Sequence, residues 1–255
     1  MLVVTREPSP RLAEAERTYR EPEPVDVELA RRQHRDFEEA LRGLGMRVVE
    51  APAAPASPDG AFVEDVAVVL EEVAVLARPG LPGRRREVGP VGRMLAEMKP
   101  VRRIEAPATL EGGDVLRVDR DVWVGVSPRT NARGAAQLQS LLAEFGYSVH
   151  TVPVRGAVHL KTACTHVGRK TVLCNPEWVD TGSLEALWKI RVDDDEPWAA
   201  NTLLAGETVV MPEGFPRTAD RLRESGRPVV EVDVSEFQKA EGGVSCLALV
   251  VDPGP

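Results

Sequence analysis

The chain has 255 residues, 43% hydrophobic and 28% charged, with a formal net charge of −8. That length can bury a substantial core, and the composition is that of an ordinary globular protein. The acidic balance argues against a nucleic-acid partner, which is held through Lys and Arg. No apolar run approaches the ~20 residues of a membrane helix. The opening Met1-Leu-Val-Val-Thr-Arg6 lacks the charged and apolar regions of a signal peptide. Cys164, Cys174 and Cys246 are an odd number without framework spacing, which fits free thiols in a reducing cytoplasm.

Residues 2–4 open the chain as a short apolar run, followed by a helical pattern over 25–44 and a β-rich run at 46–49. Two apolar runs, 66–70 and 73–77, then flank the polar pair Glu71-Glu72, a hairpin signature. The helical pattern of 85–99 follows, with Met94, Leu95 and Met98 at three- and four-residue steps. The same succession returns with runs 115–118 and 122–126 and a helix over 130–145 that carries Leu138, Leu141, Leu142 and Phe145 on one face. Runs 158–167 and 171–174 form another pair with no clear helix after them. Runs 202–204 and 209–211 flank Gly206-Glu207 and precede a helix over 218–225.

Short β-rich segments close these units. Arg47-Val-Val-Glu-Ala-Pro52 recurs as Arg103-Ile-Glu-Ala-Pro107, and looser versions follow at Val149-His-Thr-Val-Pro153 and Val229-Val-Glu-Val-Asp233. The unit is strand, strand, helix, strand, repeated about five times at roughly 45–55 residues. The first copy lacks a strand, which the last run, 246–251, supplies if it pairs beside 2–4. The reading is one closed α/β domain of ββαβ units over 1–255. An ordinary α+β domain with an accidental repeat is the alternative.

The repeat predicts where chemistry gathers. A few residues after successive closing strands come Asp59, Glu64 and Asp65, then Glu111 and Asp114, then His159, then Ser245 and Cys246. In a pseudosymmetric ring these positions converge at one end of a central channel. Carboxylates, imidazole and thiol brought together can activate a sulfur nucleophile against a cationic electrophile. Taken singly, each has a structural explanation. Cys246 fits a buried core cysteine, His159 a packed histidine, and Glu111-Gly-Gly-Asp114 a glycine turn. Phe62-Val-Glu-Asp-Val66 is harder to read as structure alone, because it places adjacent carboxylates on the two faces of a predicted strand. Burying them requires a cation or donors, and a guanidinium fork fits bidentate carboxylates. Cys164, His166 and Cys174 lack the paired spacing and fourth ligand of a zinc site. Neither a Walker A motif nor GxGxxG occurs.

Several of these motifs, in this order, carry a family resemblance. They are Phe62-Val-Glu-Asp-Val-Ala-Val-Val69, Arg78-Pro-Gly80 with Arg84-Arg85, Leu110-Glu-Gly-Gly-Asp-Val115, Arg129-Thr-Asn131, His159-Leu-Lys161, Ala200-Asn201 and Gly242-Gly-Val-Ser-Cys246. The chain resembles the dimethylarginine dimethylaminohydrolases, within the guanidino-group-modifying superfamily, over essentially its whole length. The resemblance implies a five-bladed α/β propeller of pseudo-repeated ββαβ units around a central channel. It also implies hydrolysis of methylated arginine to citrulline without metal or organic cofactor. By the same resemblance Cys246 is the nucleophile, His159 the general acid–base and Glu111 the third triad member. Asp65, with Glu64 nearby, holds the guanidinium, and Asp59 helps bind the substrate. Arg84 and Arg129 clamp the α-carboxylate, and the Ala240 carbonyl meets the α-amino group. Leu12 is the leucine available to an N-terminal loop that closes over the substrate. Two alternatives are an arginine deiminase-like enzyme and a non-catalytic binding protein for cationic amino acids. Deiminases are usually longer, with an extra helical domain. The expected partner is a small molecule, and the expected state a cytoplasmic monomer or homodimer.

Overall fold

A computed structural model of the protein describes residues 1–251; residues 252–255 of the predicted 1–255 unit lie outside the described residues. Each polar break between apolar runs turns the chain back on itself. β3 (Ala67–Val69) pairs antiparallel with β4 (Ala74–Leu76), and β6 (Val115–Val118) with β7 (Asp121–Val126). β9 (Cys164–His166) pairs in the same way with β10 (Thr171–Cys174), and β12 (Leu203–Ala205) with β13 (Thr208–Pro212). Positive φ at Asp119, at Arg169 and Lys170, and at Gly206 makes three of these reversals tight.

After each hairpin the chain crosses over and returns parallel to the second strand. β5 (Val101–Arg103) lies on β4, β8 (Ser148–Pro153) on β7, β11 (Trp188–Arg191) on β10 and β14 (Val229–Val232) on β13. The remaining sheet joins the two ends of the described chain. β1 (Leu2–Thr5) runs parallel to β2 (Arg47–Glu50) and antiparallel to β15 (Leu249–Val251), with Val3 opposite Val250. The described residues thus form five three-stranded sheets of one internal order, and the predicted pairing of the last run beside 2–4 is present. The strands β3, β6, β9, β12 and β15 together line a cavity of about 230 Å³.

Helices fill the crossovers: α1 (Val27–Gly43), α2 (Val88–Ala96), α3 (Ala132–Leu142) and, after the single turn α4 (Leu160–Ala163), α5 (Pro216–Glu224). A further short turn, α6 (Ser235–Gln238), precedes the last loop. The Asp26 side chain caps α1 by accepting the Leu29 N–H, and Asn131 caps α3 by accepting that of Gly134. Such caps contribute ~1 kcal/mol each. The apolar stripe of α1, Phe37 and Leu41 among it, is buried in one cluster with Phe237 and Val244. In the fourth unit a 3-10 turn, Thr181–Leu184, stands where the other units have a helix, which is why no helical period is legible there. Cys164 and Cys174 are opposite each other across β9 and β10, both free and fully buried. Among the described residues no helix is long and apolar enough to cross a membrane.

Three local expectations are corrected, all near the site. Val63–Val66 is a 3-10 turn, not a strand; the Glu64 N–H donates to the Cys246 carbonyl at 3.3 Å rather than to a strand neighbour. Residues 158–167 are not one strand: Leu160–Ala163 is a helical turn, and β9 begins only at Cys164. The Leu160 N–H is captured by the Asp114 carboxylate at 2.9 Å, which starts that turn. Cys246 lies in a turn ahead of its predicted strand, which begins at Leu249.

Candidate active site

A recess with about 30 Å³ of free space brings together Cys246, His159, Glu111 and Asp65. Asp59, Arg84, Arg129 and Ala240 line it as well. Each side chain arrives on a loop or single turn between elements, so the sheets position residues they do not themselves carry. Glu111 immediately precedes the 3-10 turn Gly112–Asp114, His159 immediately precedes α4, and Cys246 follows the Gly242-Gly243 pair.

His159 and Glu111 form the tightest link, with Nε2 2.7 Å from Oε2. The other Glu111 oxygen accepts the Gly80 N–H at 3.0 Å, which fixes the carboxylate in orientation. Nδ1 of His159 stands 3.8 Å from Asp65 Oδ1. Burial alone would push the imidazole pKa down, but Asp65, Asp114 and Glu111 together outweigh it and hold the ring up at about 9. The histidine is therefore cationic at neutral pH. Asp114, fully buried, is pushed up to about 6 by desolvation, against the pull of His159 and of its Ser127 and Leu160 hydrogen bonds.

Asp65 is buried but held below the usual carboxylate range. Desolvation is opposed by His159, by Arg84 Nη1 at 2.7 Å from Oδ2, and by the Gly113 N–H at 3.0 Å from Oδ1. Gly113 has to be glycine here. A Cβ built on it would stand 2.7 Å from that Asp65 oxygen and 2.8 Å from His159 Nδ1.

The Cys246 thiol accepts weak hydrogen bonds from the Gly243 N–H at 3.4 Å and Asn201 Nδ2 at 3.6 Å. The Asn201 carbonyl accepts the Ser245 N–H at 3.0 Å, tying this amide to the loop it serves. A Cβ on Gly243 would lie 2.4 Å from the Asn201 side chain. Desolvation, with Glu64 and Asp65 adding to it, pushes the thiol pKa up to about 12. The resting sulfur is therefore protonated. A consequence can be measured directly: alkylation of Cys246 by iodoacetamide at pH 7.5 should be at least about 100-fold slower than that of a free cysteine, since the thiolate is the nucleophile. The rate should still be climbing above pH 9. A plateau reached below pH 8, followed by peptide mass spectrometry, would mean that the thiol is already ionised at rest.

Two expected substrate residues are placed elsewhere. Glu64 directs its carboxylate to Lys161 Nζ at 2.6 Å and Ser245 Oγ at 2.8 Å and lines the 230 Å³ cavity, not the recess. Both of its oxygens are thus engaged by the chain. Leu12 is fully buried in the cluster of Phe37 and Phe237, so it is core and does not cover the recess; Glu16 is the residue of its loop that lines it. Arg84, expected to face an α-carboxylate, is instead committed to carboxylates of its own chain. It contacts Asp65, Glu87 Oε2 at 3.1 Å and Glu111 Oε2 at 3.7 Å. Arg129 lines the recess without an ion pair among the described residues. Asp65, Glu111 and His159 bring ligand atoms within 4.8 Å of one another, a spacing a metal could use. The Arg84 guanidinium already supplies a cation to both carboxylates of that set.

Asn201 and Glu87 join the site without having been singled out, and Asp114, expected among the converging residues, had been given no role of its own. Asn201 stood in a quoted motif, and Asp114 in the glycine turn. Glu87 carried no signal beyond its place three residues after Arg84.

An imidazole fixed by one carboxylate and facing another, beside a thiol in a small recess, is the equipment of an α/β enzyme that attacks through a cysteine with an acid–base partner. A family model described as Arginine deiminase matches residues 95–211. The chain is 38% identical to the N(G),N(G)-dimethylarginine dimethylaminohydrolase of Streptomyces coelicolor, over 96% of this chain and 95% of that protein. It is 35% identical to the protein of the same name from Pseudomonas aeruginosa, over 88% and 89% of the two chains. A solved structure of the Pseudomonas enzyme, a cysteine-to-serine variant complexed with citrulline, superposes with a TM-score of 0.93 at 33% identity, covering 97% of this chain and 98% of the other. The chain belongs to the dimethylarginine dimethylaminohydrolase family.

Proposed function

We propose that this chain hydrolyses N-omega-methylated L-arginine, asymmetric dimethylarginine and monomethylarginine, to L-citrulline and dimethylamine or methylamine. The observation that carries the reading is the recess itself, in which Cys246, the His159–Glu111 pair and Asp65 meet. The 33–38% identity to enzymes of that name over nearly the whole chain supports it.

A guanidinium is a poor electrophile because its charge is delocalised and persists above pH 12. Asp65 localises that charge at the unsubstituted nitrogens and aligns the carbon with Cys246. The bound cation also assists ionisation of a thiol that is protonated at rest, as a neighbouring positive charge does in general, and the thiol proton passes to solvent because His159 already carries its own. Attack by the thiolate forms the C–S bond and a tetrahedral adduct. His159, charged and held by Glu111, gives its proton to the departing amine, leaving a thiouronium. The neutral imidazole then takes a proton from water as it attacks the same carbon, the C–S bond breaks, and citrulline leaves. Arg129 receives the substrate's α-carboxylate, the Ala240 carbonyl the α-amino group, and Asp59 a further polar contact. Arg84 keeps Asp65 ionised.

The fold enters the same proposal. Five like sheets, each with one strand lining the same cavity, and a sheet shared by the two ends of the described residues, fit a closed five-bladed propeller in which 1–255 is one catalytic unit.

The test is citrulline formation from dimethylarginine, monomethylarginine and arginine side by side. The expected result is turnover of the two methylated substrates, with kcat/KM for arginine at least about 10-fold lower, the discrimination a methyl-sized pocket supplies. Preference for arginine would give the deiminase-like reading, and binding of all three without product would leave a binding protein.

A further inference from the structure

Residues 15–25 have no helix or strand of their own, most of them are exposed, and Glu16 among them lines the recess. So little burial cannot fix a segment in place. Ala15 and Val25 pack against the core at its two ends, and between them its anchors are polar. Glu16 lines the recess together with Asp59. The Arg20 guanidinium lies 4.2 Å from the ring centre of Trp198. Between them, three successive backbone N–H groups converge on a single side chain. Thr18 donates to Glu241 Oε2 at 2.8 Å, Arg20 to Oε1 at 2.6 Å, and Tyr19 also to Oε1.

Glu241 sits between Ala240 and the Gly242-Gly243 pair, in the loop that leads to Cys246, and itself lines the recess. Its φ is +61°, in the left-handed region where glycine or asparagine is accommodated more cheaply than glutamate. A glutamate held in that conformation calls for a compensating interaction, and three charge-assisted hydrogen bonds are one. The free space beneath the segment, about 30 Å³, is room for roughly one or two waters. An arginine derivative enters only if the segment lifts.

We infer that Glu241 is a positioning residue: its carboxylate latches residues 18–20 over the recess, releasing them for substrate entry and recapturing them before chemistry. The inference rests on the proposed hydrolysis for its place in turnover. The contacts between latch and strap stand independently of what the recess binds.

The test uses the full chain with Glu241→Ala and Glu241→Gln. Amide exchange at residues 18–20 and tryptic cleavage after Arg17 should each rise about 10-fold or more in Glu241→Ala, with the melting temperature and cleavage elsewhere unchanged. Glu241→Gln, which keeps an oxygen acceptor but loses the charge, should fall between Ala and wild type. In citrulline formation KM should rise about 10-fold while kcat changes less than 2-fold. Unchanged exchange and cleavage in both variants overturn the latch, as does a fall in kcat at constant KM, which would put Glu241 in the chemistry. If the wild type produces no citrulline at all, the functional reading fails, while exchange and proteolysis still decide the latch.

Discussion

Cys246→Ser is expected to fold like the wild type and to form citrulline at least about 10⁴-fold more slowly, the scale on which removal of a nucleophile is felt when the remaining groups act as a unit with it. The structural half of the expectation follows from what touches the sulfur. Cys246 is 6% exposed, and its partners are the Gly243 N–H and the Asn201 amide, both donors that a serine oxygen also satisfies. The chemical half follows from acidity. A thiol pushed up to about 12 by burial and by Glu64 and Asp65 lies within reach of a bound guanidinium and a cationic histidine; a serine hydroxyl in the same place does not. The measurement is a citrulline assay paired with a melting curve. Residual turnover within 100-fold of wild type, on a fold of unchanged stability, would remove Cys246 from the bond-making step.

How far this site could be read from sequence depends on which interaction fixes each residue. The repeat of hairpin, crossover and parallel strand was legible because sheet residues alternate or run apolar between polar turns, and five copies reinforce one another. Their convergence on one end followed from pseudosymmetry, and Cys246, His159, Glu111 and Asp65 do meet in one recess. The failures share a cause: the local pattern could not register a distant partner. Residues 62–66 read as a strand because apolar and acidic residues mix there. They form a 3-10 turn because Asp65 answers Arg84 and Gly113 while Glu64 answers Lys161, far along the chain. Residues 160–163 read as strand and form a turn because Asp114 captures the Leu160 N–H. Leu12 was assigned by residue type alone. It is drawn into the core by Phe37 and Phe237, neither of which is near it in sequence.

Loss of the imidazole is expected to be the second large effect. His159→Gly should lower kcat by about 10²–10⁴-fold, the usual contribution of a positioned acid–base group, and a covalent adduct on Cys246 should accumulate when the leaving group departs without a proton. Intact-mass spectrometry during turnover reads that adduct, and an unchanged kcat would exclude His159 from both proton transfers. The same variant carries a stability signature with a definite sign. The folded-state pKa of His159, about 9, lies above its ordinary 6.5, so folding takes up protons between those values. Its stabilising contribution is therefore complete below about pH 6.5 and is lost as the pH rises through about 9. A shift of that size corresponds to something on the order of 3 kcal/mol. Three buried carboxylates, Asp65, Glu111 and Asp114, provide it. Asp114 is pushed up to about 6, so it is ionised across most of that window and sustains the effect. The urea midpoint of the wild type should thus decline between pH 6.5 and 9.5, while that of His159→Gly starts lower and stays flatter over the same range. Parallel declines in the two proteins would assign the pH dependence to other groups and would leave the imidazole without the charge that the proposed amine protonation requires.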